Sequence, residues 1–193
     1  MARPKEFDRD HVLGKAIEVF ASHGYEGAST DELLTRMDIS RQSMYDTFGD
    51  KRRLYLEALQ RYSSESTAEI IASMNAESSA LDGLEAALLA FAMRPSIRPE
   101  DGCLGVCAVT EFGRTDREIN AITDASGATL SAAFERVIRK GQKAGEFAPE
   151  LEPRAVAGFL ATTLLGLKVS ARGGAKPAAL RDVVRLALRS LQK

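Results

Sequence analysis

Five side chains with hydrogen-bonding heads, Arg41, Gln42, Ser43, Tyr45 and Thr47, fall within seven residues of one another. Arg can pair bidentately with guanine and Gln with adenine in a DNA major groove, while hydroxyls reach phosphate oxygens or base edges. Four residues further on, Lys51-Arg52-Arg53 follows Asp50. If Asp50 caps a helix, three cations stand in its first turn, where they oppose the local dipole; that small stability cost points to an anion outside the protein.

Placing those groups on one surface requires short helices with firm start signals. Ser29 precedes Glu32 by three residues, the capping-box spacing, which predicts a helix over Thr30 to Met37. Leu33, Leu34 and Met37 give it an apolar face, and Ile39 after the turn points back to the same core. Ser40 is the next N-cap, for a helix over Arg41 to Phe48. Met44 and Phe48, four apart, form its inner face and leave the polar side chains outside. Two short helices joined by a four-residue turn, with a third opening at Lys51, read as a helix-turn-helix. The plainer alternative is a capped helix pair in an ordinary bundle.

The segment resembles the tetracycline-repressor (TetR) family of bacterial one-component transcription regulators. The match is strongest in Gly24-Tyr25, Ser29, the Ile39-Ser40 turn, Met44-Tyr45, Phe48, Lys51 and Leu54. A Tyr, an aromatic residue three positions on and a Lys three beyond that recur in the family, and Tyr45, Phe48 and Lys51 reproduce the spacing. At motif level the resemblance covers roughly residues 8 to 60. Asp38 stands where the family usually has Gly, yet Asp tolerates the left-handed conformation such a turn can need. Gln42 and Thr47 also depart from the family's common residues, which bears on the operator read rather than on DNA binding itself.

The reading that follows is an all-α protein, with an N-terminal three-helix helix-turn-helix domain (residues 1–50) and a helical ligand-binding and dimerisation domain (residues 51–193), about nine helices in all. Its partners would be double-stranded DNA in the form of a palindromic operator, a small-molecule effector and a second copy of the chain. Arg41, Gln42 and Ser43 would read bases, with Tyr45 at a base edge. Ser29, Thr47 and Lys51 would position phosphates, and Ser40, the cap of the recognition helix, completes the set of expected DNA-binding residues.

Charge sets a condition on this reading. Residues 1 to 62 carry ten Lys and Arg against eleven Asp and Glu, and the whole chain has a formal net charge of −1. Basicity must therefore be local, from Arg3 and Lys5 in the N-terminal arm, Arg41 and the 51–53 cluster, and a dimer would double the phosphate contacts. At 193 residues, 45% hydrophobic and 27% charged, the composition is that of an ordinary globular protein. No run of 18 apolar residues occurs and MARPKEFDRD lacks a signal-peptide core, so a cytoplasmic protein without a membrane role is expected.

Along the chain the remaining helices are expected over 8–23, 51–75, 79–93, 103–112, 116–144, 153–171 and 177–191, with Gly24 stopping the first and a breaker stretch at Arg94 to Gly102. The last two are rich in small and apolar residues on more than one face, and a face left over from the core needs a second subunit to cover it. Phe159, Thr163, Leu167, Val184, Leu188 and Leu191 are the interface candidates. An effector pocket between helices would draw on aromatic and weakly polar side chains; Phe91, Cys107, Thr110, Phe134, Phe159 and Thr163 are the candidates.

Cys103 and Cys107 are the only cysteines. At helical i and i+4 their Cβ atoms would be about 5–6 Å apart, whereas a disulfide wants about 3.5–4.5 Å. Buried packing is the plain reading and a thiol-sensing repressor is the alternative. His11 and His23 cannot complete a compact metal site with them by sequence placement, so no metal and no cofactor are expected. No phosphate loop, HExxH, GxSxG or Cys/His nucleophile pattern occurs, so an enzyme is not expected. A helical ligand-binding protein without DNA activity remains the third class.

Overall fold

The computed structural model describes residues 7–90 and 102–192. Arg3, Lys5, Phe91 and the 94–101 stretch lie outside the described residues. Among those described the protein is all-α, in the order α1 (Arg9–Gly27), α2 (Thr30–Met37), α3 (Arg41–Phe48), α4 (Lys51–Ala76), α5 (Ala80–Leu89), α6 (Leu104–Phe112), α7 (Arg117–Ala144), α8 (Pro153–Arg172) and α9 (Pro177–Arg189).

Local caps account for most of the starts. Asp8 accepts from the Asp10 and His11 N–H groups, Ser29 from Glu32, Ser40 from Ser43, Ser79 from Asp82 and Glu152 from Arg154 and Ala155, each satisfying donors that a helix start leaves open. At Ser29 the Glu32 side chain does not reach back in the same way; its carboxyl lies 3.6 Å from His23 Nδ1. Asp38 ends α2 at φ 53°, ψ 46°, the left-handed geometry the turn demands. α1 continues past Gly24, but Gly24 itself is non-helical at φ 73°, ψ −173°. That region is essentially reserved to glycine, so α1 is a long helix followed by one reoriented turn.

Contacts gather the chain into two units: residues 1–63 with 101–123, and residues 64–100 with 124–193. A cut at 50/51 would divide the first unit through its own core. Tyr55, Leu59, Leu104, Ala108 and Ile119 are fully or almost fully buried together with Phe20, Leu33, Met44 and Phe48. The first half of α4, all of α6 and the opening of α7 thus belong with the three N-terminal helices.

In the second unit Leu84, Leu88, Phe134, Ile138, Leu160, Val184 and Leu188 form the core. This corrects the interface expectation. Leu167, Val184, Leu188 and Leu191 are buried within their own subunit, and a residue already covered cannot be the surface a partner covers. The apolar residues left outside are Phe159, Leu165, Val169, Val183 and Leu186, the last 72% exposed. On a helix of period 3.6 both faces of α8 and α9 carry apolar groups. The inner face took the larger, more regular set, and the outer face is the remainder. α8 is also the one described helix long and apolar enough to cross a membrane, yet only 28% of that window is buried inside the subunit.

Candidate nucleic-acid interface

Because Met44 and Phe48 bury the inner side of α3, the Arg41, Gln42 and Tyr45 side chains are left exposed, with Ser43 and Thr47 half-buried at the edges. The polar heads of Arg41, Gln42 and Ser43 already have partners inside the protein. Arg41 Nη2 donates to Asp31 Oδ1 at 2.6 Å and Gln42 Nε2 to Asp46 Oδ1 at 2.8 Å. The Ser43 hydroxyl lies 2.9 Å from that of Ser40, whose Oγ also accepts from the Ser43 N–H. These pairs are short-range and solvent-facing, so exchanging them for phosphates or base edges costs little.

The N-terminus of α4 closes the other side. Asp50 Oδ1 accepts from Arg53 N–H at 2.7 Å. The three cations of this turn have different fates. Lys51 Nζ sits 4.5 Å from the centroid of the Tyr25 ring, a cation–π arrangement. Arg52 is committed to the protein: it pairs with Asp116 at 2.8 Å and with Glu118 at 2.7 Å. These hydrogen bonds hold the guanidinium pKa above its ordinary value. The same Arg52 bonds, with the Ile119 and Glu118 N–H groups, hold the Asp116 carboxyl below the usual range. Arg53 stays exposed.

Behind this surface lies an aromatic cluster that the sequence pattern gave no means of finding. Tyr55 makes edge contacts at 5.0 Å with both Phe20 and Tyr25, and Phe112 of α6 packs on both tyrosines. The Tyr55 hydroxyl is fully buried with no hydrogen-bond partner among the described residues; burial foremost, then the nearby Glu111 and Cys107, pushes its pKa up. Burial also raises the Tyr25 phenol, with Arg52 pulling the other way. Glu111 of α6 accepts from the Tyr25 N–H at 2.8 Å and from the Glu26 N–H at 3.1 Å. It thereby caps the reoriented turn of α1 from 86 residues away.

The expected pocket residues that are described divide between the two units. Cys107 and Thr110 belong to the first unit, whereas Phe134, Phe159 and Thr163 belong to the second. Cys107 is buried and its thiol donates to Ala21 O at 3.6 Å. Thr110 is exposed and bonds back to Val106 O at 3.0 Å. Phe134 is packed solidly in its core, and Phe159 is exposed. Thr163 lines a groove of about 330 Å³ with Gly166, Leu167, Ala179 and Val183. Cys103 and Cys107 are buried and form no disulfide. Among the described residues no group of three or more His, Cys, Asp or Glu side chains is placed so that it could hold a metal ion.

Two family profiles match the chain: residues 12–58 match "Bacterial regulatory proteins, tetR family" and residues 64–187 match "Tetracyclin repressor-like, C-terminal domain". The uncharacterized HTH-type transcriptional regulator YezE of Bacillus subtilis is 32% identical over 97% of this chain and 98% of its own. The HTH-type transcriptional repressor ComR of Escherichia coli is 27% identical over 97% and 90%. Among solved structures, a cysteine mutant of the TetR family regulator CifR complexed with 26bp double-strand operator DNA is 32% identical. It covers 97% of this chain and 99% of that one, with a TM-score of 0.84. Capped recognition helix, helical C-terminal domain and these likenesses agree: the chain belongs to the tetR family of bacterial regulatory proteins and is a DNA-binding transcriptional regulator, not an enzyme.

Proposed function

We propose that this regulator is a repressor that binds a palindromic operator as a homodimer and is released by a small-molecule effector. The observation that carries the DNA half is the division of α3: Met44 and Phe48 are buried while Arg41, Gln42 and Tyr45 are exposed. Arg41, Gln42 and Ser43 read bases and Tyr45 meets a base edge. Ser29, Thr47 and Lys51 position phosphates, and Ser40 keeps the helix start in register. The operator-bound CifR structure supports the same use of the fold.

The dimer reading rests on Phe159, Leu165, Val169, Val183 and Leu186, apolar side chains exposed on α8 and α9. A two-fold partner covers such a stripe with its own copy of it, and matches paired recognition helices to half-sites about 34 Å apart. The effector reading is supported by the match of residues 64–187 to the tetracyclin repressor-like C-terminal domain. A protein acting on DNA in this way works in the bacterial cytoplasm.

A thiol-sensing mode is the second reading, and Cys107 favours it over Cys103. Its thiol sits against Ala21 of α1, so a group added there would push α6 from the N-terminal helices. Thiol titration of the native protein separates the modes, since inert buried thiols react only on unfolding.

Selection of the purified protein on random duplex DNA at moderate salt, followed by fluorescence anisotropy on the enriched site, tests the whole. A palindrome with half-sites one helical turn apart is expected. An absence of enrichment across several salt concentrations would overturn operator binding.

A further inference from the structure

Lys51 is the only cation in the first turn of α4 that rests on an aromatic face, and the placement of that face is governed from elsewhere. Tyr25 follows Gly24, whose φ of 73° and ψ of −173° turn the chain out of α1. The first two N–H groups beyond that break, those of Tyr25 and Glu26, both donate to the Glu111 carboxyl of α6. The ring is then clamped on one side by Tyr55 and Phe112 at centroid distances of 5.0 and 5.7 Å, and carries Lys51 Nζ at 4.5 Å.

We propose that Tyr25 is the residue that positions Lys51 for the DNA backbone and that Glu111 positions Tyr25, so that the placement of α6 sets the reach of this ammonium. The proposal rests on the reading of Lys51 as a phosphate contact. A free Lys has a flexible four-carbon stem and loses much rotamer freedom when it engages a phosphate. Held over a ring, the ammonium is oriented in advance and the contact costs less to make. A backbone turn held by a carboxylate has one well-defined position. Move or remove that carboxylate and the turn, its ring and the cation above it lose their common reference.

The test is operator affinity and its salt dependence, on the enriched DNA site, for Lys51→Ala, Glu111→Ala, Tyr25→Phe, Tyr25→Leu and the double variant Glu111→Ala/Lys51→Ala. Far-UV circular dichroism and thermal melting establish which are folded. Lys51→Ala is expected to flatten the slope of log K against log salt by about one unit. Glu111→Ala is expected to weaken binding roughly three- to tenfold and to flatten the slope in the same direction. Loss of a carboxylate by bulk electrostatics alone would strengthen DNA binding, so weakening carries the sign of a positional effect. The double variant should be no worse than Lys51→Ala, because the two act on one contact. Tyr25→Phe should keep the wild-type slope, and Tyr25→Leu should follow Lys51→Ala. If Lys51→Ala flattens the slope while folded Glu111→Ala keeps wild-type affinity and slope, the relay is overturned and the phosphate contact stands. If Lys51→Ala leaves the slope unchanged, the phosphate reading itself fails and takes the relay with it.

Discussion

The Glu111 carboxyl fills the space that a side chain on Gly24 would need: a Cβ there would lie 2.7 Å from its Cδ and from both its oxygens. Gly24→Ala therefore meets two penalties, a backbone conformation reserved to glycine and displacement of the cap on Tyr25 and Glu26. A loss of about 1–3 kcal/mol is expected in urea denaturation. In Gly24→Ala/Glu111→Ala the collision disappears and the backbone strain stays, so part of the loss should persist. Full recovery of wild-type stability in the double variant would refute the strain.

Asp31 holds Arg41, the two being 2.6 Å apart with the Asp31 side chain 85% exposed, and on the proposed reading it would compete with DNA for that guanidinium. Asp31→Asn should release Arg41 and remove a negative charge beside the recognition helix. Operator affinity is expected to rise about two- to tenfold at low ionic strength, with the gain shrinking as salt screens it. Unchanged affinity at every salt concentration would mean that Arg41 stays off the DNA.

Gln42 and Lys51 should differ in what they control. Gln42→Ala ought to relax preference at one operator position by about 1–3 kcal/mol, measured against single-base operator variants. Lys51→Ala ought to weaken all of those operators alike. Identical specificity profiles for the two variants would remove the assignment of base reading to Gln42.

The two faces of α9 make a paired test. Leu186 is exposed and Leu188 buried. Leu186→Glu should yield a folded monomer in sedimentation velocity, whereas Leu188→Glu should unfold the subunit by several kcal/mol because an unpaired carboxylate enters an apolar core. A Leu186→Glu protein that still sediments as a dimer would move the interface elsewhere.

Acid should act on Asp116. Its carboxyl is held below the ordinary value, chiefly by Arg52, so the folded state favours the charged form. The stabilisation is complete above the unfolded value of about 3.9 and is lost as pH falls through the lower folded value. Asp116→Asn should cost about 1 kcal/mol at pH 7, a modest figure because Arg52 is partly solvated. The difference from wild type should shrink below pH 4. A difference that holds constant down to pH 2 would exclude Asp116 as its source.

What could be read in the sequence is what is decided over a few residues. The caps at Ser29 and Ser40 and the split of α3 into buried Met44 and Phe48 against exposed Arg41 and Gln42 follow from spacing, while the left-handed Asp38 was legible through the family resemblance, which puts Gly in that turn. The unseen relationships span the chain: Glu111 on Tyr25, and Arg52 on Asp116 and Glu118, 64 and 66 residues away. Each of these side chains looks like an ordinary surface charge in its own window. The exposed apolar face of α8 and α9 was misread for a different reason. Periodicity identifies apolar faces without saying which of two the core takes, and in α9 Val184 and Leu188 turned inward while Val183 and Leu186 did not.

The first unit is assembled from two stretches of chain that are far apart in sequence, and Leu104, Ala108 and Ile119 fill the centre of its core. A nascent chain that ends at residue 63 lacks those three core side chains. The DNA-reading surface is therefore expected to close only after residue 123 has left the ribosome. A prematurely terminated chain that still encodes every residue of α3 would offer proteases an open core rather than offering the operator a competitor.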